Sequence, residues 1–302
     1  MSQFYSHGKL LITGEYLVLD GAEALAVPTK FGQDLRVKKN TSNKIHWKSF
    51  DNNGKVWFQT ELDSNTLTST IVKEQTEIEN RLIQILQETK KLNTNFLVDN
   101  LGYDVETHLE FDRNWGLGTS SSLINNIASW AQIDPFKLLK QTMGGSGYDI
   151  ACAQNAHPIL YKLRDGLPEI SLADFTPPFE ENLFFVFLNQ KQNSREGIAK
   201  YRSNLDISKQ VFSEIDNITK ELILSKELKY FDQLLAEHEK IISSIIKIEP
   251  VQNKLFKDYF GQTKSLGAWG GDFILATGNE NTPGYFNSKG FETVIPYREM
   301  VL

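Results

Sequence analysis

The chain has 302 residues, enough for one large domain or two interlocked lobes with a sizeable core, and its 40% hydrophobic and 23% charged residues are ordinary globular composition. A net charge of −6 argues against nucleic acid as the main partner, because phosphate-backbone binding shows as a basic surface, but leaves room for a small anion held by a few local cations. One cysteine, Cys152, excludes an internal disulfide, and the opening MSQFYSHGK lacks the charged start and apolar core of a secretion signal. The expectation is a cytoplasmic protein outside the membrane, since the most apolar short run, LFFVFL at 183–188, is far too short to span a bilayer and reads as a buried strand.

In chain order, KLLITGEYLVLDGAEALAV breaks at Gly14 and Gly21 and reads as strand, turn, strand. QDLRVKKN alternates through Leu35 and Val37, and KIHWKSFDNNGKVWFQTEL sets two alternating runs around DNNG, a hairpin signal. The period then changes. Ile71, Ile78, Leu82, Ile85 and Leu86 follow three- and four-residue steps and predict an amphipathic helix ending near Leu92. YDVETHLEFD predicts a strand. A small-residue stretch and its helix follow, then a second helix capped by Asp134.

PILYKL and LFFVFLNQ predict strands. Two long helices come next, one through Ile207, Val211, Ile215, Ile218 and Leu222, the other through Leu228, Phe231, Leu235, His238, Ile242 and Ile245. GAWGGDFILATG and FETVIPYREM return to strand. No repeat or low-complexity tract is evident, and the proline-bearing stretch from Asp165 to Glu181 is the expected seam between lobes at 1–165 and 166–302. Strands and helices mixed in this way predict an α+β fold.

NWGLGTSSSLINNIASW raises the question of function. A helix N-terminus exposes unpaired N–H groups and partial positive charge, and a glycine-rich turn before it lets an anion approach. Hydroxyls at Thr119, Ser120, Ser121 and Ser122 add donors for phosphate or a ligand for magnesium, although a serine-rich helix start after a tight turn would look the same. No P-loop motif is present, and GLGTSS lacks the third glycine of the dinucleotide fingerprint. Two further clusters, MGGSGYDIACA with Asp149 beyond its glycines and SLGAWGGDFILATG with Gly267, Gly270 and Gly271, suit backbone gathered around a polyphosphate.

These segments together resemble the GHMP small-molecule kinases, a family that includes galactokinase, homoserine kinase, mevalonate kinase and phosphomevalonate kinase. GKLLITGEYLVLDGAEALAVP is similar to the family's opening motif, GLGTSSS to its phosphate loop, GSGYDIA to its serine-glycine-x-aspartate segment and GAWGGD to its C-terminal glycine motif, in family order from Lys9 to Asp272. The resemblance implies two lobes: a β-rich ATP-binding lobe similar to domain 2 of ribosomal protein S5, and a ferredoxin-like C-terminal lobe. It implies ATP and Mg2+ as cofactors and a small-molecule substrate, with no nucleic acid or membrane partner, in a monomer or homodimer.

By the same resemblance Asp149 is the catalytic base and Lys9 its neighbouring cation. Gly116, Leu117, Gly118, Thr119, Ser120, Ser121 and Ser122 hold the nucleotide, and Ser120 also meets the metal. Glu15, Ser146, Gly147, Gly267, Gly270 and Gly271 face the substrate or shape its end of the pocket, with a structural role for Glu15 left open. Gln141 where mevalonate kinases carry an acid, Asp272 closing GGD, and Tyr16 in GEY resemble phosphomevalonate kinases. Trp269, by contrast, replaces an expected small residue. The acceptor implied is 5-phosphomevalonate or mevalonate. A related decarboxylase, a kinase of sugars or amino-acid alcohols, and a non-catalytic nucleotide binder are the alternatives.

On residue chemistry alone other readings compete. Asp149 can be a helix cap, Lys9 an ordinary surface lysine, Cys152 a small core residue and His238 part of an apolar stripe. The five histidines show no metal-ligand spacing. QNSREGIAKYR can hold an anionic group through Lys191, Ser194 or Arg195, or can simply start a polar helix.

Overall fold

The alternation around DNNG becomes a hairpin in the computed structural model, which describes residues 1–63, 76–98, 101–192, 194–203 and 207–302 (Ser194 and Arg195 by backbone alone). Strands β3 (Lys44–Phe50) and β4 (Val56–Asp63) pair antiparallel, and the Asp51 carboxylate accepts from the Asn53 and Lys55 N–H groups to close the turn. The chain divides into two compact units by packing rather than by chain order: 1–8, 31–113 and 118–154 in the first, 9–30, 114–117 and 155–302 in the second. The Asp165–Glu181 stretch lies wholly within the second unit.

Two strands pass from one unit to the other: β1 (Ser2–Leu11) and β2 (Ala24–Asn40). The opening segment was expected to give strand, turn, strand. Instead Leu17–Asp20 form a 3₁₀ turn with Leu17 and Val18 buried, and ALAV merges with QDLRVKKN into the single strand β2. The apolar run before Gly21 is too short and too tightly turned by Gly14 N-terminal to it to extend. Val18 N–H instead donates to the Gly14 carbonyl at 2.9 Å.

In the first unit the strands run in the order β4-β3-β5-β2, where β5 is Gly102–Leu109, antiparallel to β2 and parallel to β3. Helix α1 (Glu77–Leu92) starts at Thr76, whose hydroxyl accepts from Glu79 N–H at 3.2 Å; Ile71 lies outside the described residues. Helices α2 (Thr119–Ala131), α3 (Pro135–Thr142) and α4 (Tyr148–Ala153) follow. Leu82, Ile85 and Leu86 of α1 join Ile124, Ile127, Leu138 and Ile150 over the strand residues Leu35, Val37, Trp47 and Val105 in one core. Asp134 caps α3 as expected, accepting from Phe136 N–H at 2.8 Å.

The second unit holds the antiparallel pair β6 (Ile159–Arg164) and β7 (Leu167–Leu172), with β6 also pairing the start of β2. It also holds a separate antiparallel sheet in the order β11-β8-β10-β9, from β8 (Leu183–Phe187), β9 (Thr263–Ser265), β10 (Phe273–Thr277) and β11 (Val294–Pro296). Every residue of β8 and β10 is buried, which explains their unbroken apolar sequences. Helices α5 (Ser194–Ser203), α6 (Lys209–Leu224) and α7 (Leu228–Ile246) supply the long helical layer, with α6 against α7 and α7 against β9. Ile207 precedes α6 rather than lying on it.

Short helices α8 (Val251–Leu255), α9 (Thr282–Ser288) and α10 (Tyr297–Met300) complete the unit. FETVIPYREM was expected to be strand throughout. Only Val294–Pro296 pairs, because Pro296 ends the ladder and suits the start of the α10 turn. The fold is α+β, as expected.

Removing the α3 cap tests the helix-start assignment. Asp134→Ala leaves the first N–H groups of α3 without their acceptor, and equilibrium urea unfolding is expected to show a loss of about 1 kcal/mol.

Candidate active site

The small-residue stretch leads into the start of α2. Gly118 is the N-cap of α2 in a left-handed conformation (φ 96°), with no side-chain cap and no acidic residue in the first turn. The N-cap of α2 therefore offers no side-chain acceptor to the leading N–H groups, at the positive end of the helix dipole. Thr119 is half-buried and Ser120 exposed in that turn. Ser121 and Ser122 are turned inward: both hydroxyls donate to the Gly118 carbonyl at 2.9 Å, and Ser122 also donates to Gln33 Oε1 at 2.7 Å. These two serines shape the helix start, and their hydroxyls are committed to it.

Helix α4 begins in the same manner. Gly147 is its left-handed N-cap (φ 91°), Ser146 precedes it, and Asp149 is the second helical residue, half-buried. Asp149 is thus not the cap residue. Helices α2 and α4 pack on each other in the first unit, joined by Gln154 Nε2 donating to Asn125 Oδ1 at 2.9 Å. Gln141 is exposed near the end of α3.

In the second unit Lys9 meets the front of the glycine loop. Its ammonium donates to the Gly116 carbonyl at 2.8 Å, and its backbone N–H donates to the Leu117 carbonyl at 3.0 Å. Gly116 has φ 68°, and a Cβ placed there would stand 2.5 Å from Asp272 Cγ, so only glycine fits both the backbone and the space. Leu117 is fully buried. Gly267, Gly270 and Gly271 lie in the turn between β9 and β10, with Gly267 and Gly270 at positive φ. Trp269 in the same turn is fully buried and also left-handed (φ 50°), so the bulky replacement is accommodated inside the unit. Burial pushes the Asp272 carboxyl upward from its ordinary range, opposed by the Gln192 N–H and the Lys9 and Lys191 ammonium groups.

Glu15 takes the structural option. It is fully buried in the second unit and ion-paired with Lys264, also fully buried, whose ammonium further donates to the Ser265 carbonyl at 2.9 Å. His238 accepts Gly14 N–H at its Nε2 (3.0 Å), which places the proton of the neutral ring on Nδ1. Glu239 accepts Ser265 N–H at 2.8 Å. Burial dominates all three titrations: it raises Glu15 to about 6, raises Glu239 to about 8 and drives His238 well below 6.5, with Lys264 opposing the carboxyl shifts and reinforcing that of His238. Near neutral pH burial thus favours a protonated Glu239 carboxyl and a neutral His238 ring beside the Glu15–Lys264 ion pair, where unbalanced charge is costly.

His238 was expected in the core, and it is there. Lys264 and Glu239 were missed. A lysine inside a three-residue strand carries no periodicity to read, and its partner lies 249 positions away. Of the expected site residues, Lys9, Gly116 and Leu117 are brought together in the second unit with Asp272, while Glu15 is bonded elsewhere in it. Gly118 through Ser122, Ser146, Gly147 and Asp149 belong to the first unit.

The fold of this chain is that of the GHMP small-molecule kinases. No protein-family model and no curated protein sequence matches it. Among solved structures it is similar to the mevalonate kinase of Methanococcus jannaschii, at 16% identity over 97% of this chain and 96% of that one with a TM-score of 0.73. It is similar to Streptococcus pneumoniae phosphomevalonate kinase in complex with phosphomevalonate and AMPPNP, at 19% identity over 96% of each chain with a TM-score of 0.66. Lactococcus lactis galactokinase complexed with galactose follows at 14% identity, 95% of this chain, 88% of that one and a TM-score of 0.66. Among the described residues no helix is long and apolar enough to cross a membrane.

The charge balance of the buried cluster is testable by pH. A Glu239 carboxyl at about 8 in the folded chain against 4.5 unfolded binds its proton more tightly when native, so the stability it contributes is full below pH 4.5 and lost as pH rises through 8. Glu239→Gln removes that dependence. Chemical unfolding across this window is expected to show the variant gaining on the wild type with rising pH, by a few kcal/mol in total; a pH-independent difference would contradict the assignment.

Proposed function

We propose that this chain is an ATP-dependent kinase that transfers the γ-phosphoryl group to the hydroxyl of a small isoprenoid precursor, with 5-phosphomevalonate favoured over mevalonate. The observation that carries the reading is the mouth of α2: a helix start with no side-chain cap behind left-handed Gly118, with Lys9 bonded to the preceding Gly116 carbonyl. Such a start binds phosphate oxygens through backbone N–H groups. Phosphoryl transfer needs chiefly positioning and charge neutralisation.

In this reading the loop from Gly116 to Ser120 holds the triphosphate, Asp149 accepts the proton of the substrate hydroxyl and Lys9 neutralises charge developing on the transferred group. Ser121 and Ser122 act indirectly, by fixing the helix start. Glu15 serves the scaffold through its buried ion pair with Lys264. Ser146, Gly147, Gly267, Gly270 and Gly271 shape the substrate end. Magnesium suits this set, since Ser120 presents an exposed hydroxyl oxygen and the ion takes most of its remaining oxygens from phosphates and water. When bound, it would neutralise charge on the phosphates. Asp272 and Gln141 support 5-phosphomevalonate by resemblance, and the galactokinase likeness keeps a sugar acceptor as the alternative.

Incubation with ATP, Mg2+ and a panel of mevalonate, 5-phosphomevalonate, galactose and homoserine, read by mass spectrometry, is expected to show phosphorylation of one of the first two. Product from a sugar alone would transfer the proposal to that substrate class, and carbon dioxide release from a diphosphorylated mevalonate would replace kinase by decarboxylase. Asp149→Asn is expected to lower turnover by about 10²–10⁴-fold while nucleotide affinity by calorimetry stays within a few-fold; unchanged turnover would remove Asp149 as the base.

A further inference from the structure

Asp272 does more in the second unit than end a glycine turn. Its backbone is left-handed (φ 54°), its N–H donates to the Gln190 carbonyl at 2.7 Å, and its own carbonyl accepts Leu188 N–H at 2.8 Å. The main chain is thereby locked at the exit of β8 and the entrance of β10. The carboxylate is held as well: Oδ1 accepts Gln192 N–H at 3.1 Å, and the group rests where a Cβ of residue 116 would otherwise lie. Next to it in sequence, Phe273 packs against Trp115 in a T-shaped ring contact, with centroids 5.5 Å apart and planes at 85°. The segment 114–117 is therefore seated on residues 272 and 273. The same segment carries the two carbonyls that bind Lys9.

We propose that Asp272 is a positioning residue for Lys9: its carboxylate, fixed by the Gln192 amide and lodged against Gly116, sets the height of the Gly116 carbonyl and so the place of the ammonium that neutralises the transferred phosphoryl group. This rests on the kinase reading above. The geometry makes the dependence directional. Gly116 has the carboxylate lodged where its Cβ would lie and the lysine on its carbonyl, so displacement of the carboxylate is expected to move the acceptor. Burial pushes the carboxyl upward, and the Gln192 N–H and the ammonium groups of Lys9 and Lys191 oppose that rise. A lysine held in this way stays within the narrow geometry that charge stabilisation in phosphoryl transfer demands.

A double-mutant cycle separates positioning from scaffolding. Asp272→Asn keeps the size of the side chain and tolerance of a left-handed backbone but removes the charge. Transfer from labelled ATP to the acceptor identified by the panel is expected to fall about tenfold in kcat, with KM for ATP within twofold. In a Lys9→Met background the same substitution is expected to change kcat by less than twofold. Asp272→Gly, which tolerates the left-handed backbone and removes the carboxylate altogether, is expected to repeat the pattern and serves if Asp272→Asn does not fold by thermal melting. Equal losses in both backgrounds, or no loss from either variant, would overturn the role of Asp272 in an active enzyme. A wild-type chain that transfers phosphate to no acceptor would overturn the kinase reading itself, and this role with it.

Discussion

Lys9 holds the Gly116 carbonyl with its ammonium and the Leu117 carbonyl with its backbone N–H, and the front of the glycine loop is organised by that pair of bonds. A glycine loop that leads into a helix start is a kind of backbone that can leave its amides open to an anion. The absence of a side-chain cap at Gly118 follows the same logic: a serine or aspartate at that position would satisfy the N–H groups and close the mouth. The hydroxyls of Ser121 and Ser122 are spent on the Gly118 carbonyl and Gln33, which holds the first turn in place without using its amides.

The second unit also contains a cluster whose energetics run against intuition. A buried ion pair is weak evidence for stability, since desolvation can exceed the Coulombic gain, yet removing one partner is strongly destabilising. Glu15 and Lys264 form such a pair, and His238 and Glu239 stay neutral beside it. The contacts join the turn at Gly14 and Glu15, the face of α7 and the short strand β9 that leads into the Gly267–Gly271 turn. Polar bonds thus tie these three elements to one another inside the unit. Glu15, for which the resemblance left a substrate-facing or a structural role, is bonded to Lys264 inside the second unit.

Much of this was legible in the residues. Period-two alternation gave β3, β4 and β5, three- and four-residue steps gave α1, α6 and α7, and Asp134 followed by proline gave the start of α3. Where the sequence misled, a local competitor prevailed. Gly14 and Gly21 bracket a run that folds as a 3₁₀ turn, and Pro296 cuts a promising strand to three residues. The small-residue loops were recognisable as places where backbone must come close to something, because positive φ and missing Cβ leave few other residue choices.

By itself the sequence determined the fold class, the three glycine-rich turns, and the order of lysine, glycine loop, aspartate and final glycine motif, all of which depend on neighbours a few positions apart. Only the tertiary structure decided that Ser121 and Ser122 point inward, that Glu15 is bonded to Lys264, and that Asp272 rests on Gly116. The reason is distance along the chain. A hydrophobic period or turn signal is written within a dozen residues, whereas a hydrogen bond between positions 15 and 264 leaves no trace in either neighbourhood and exists only once the intervening chain has folded.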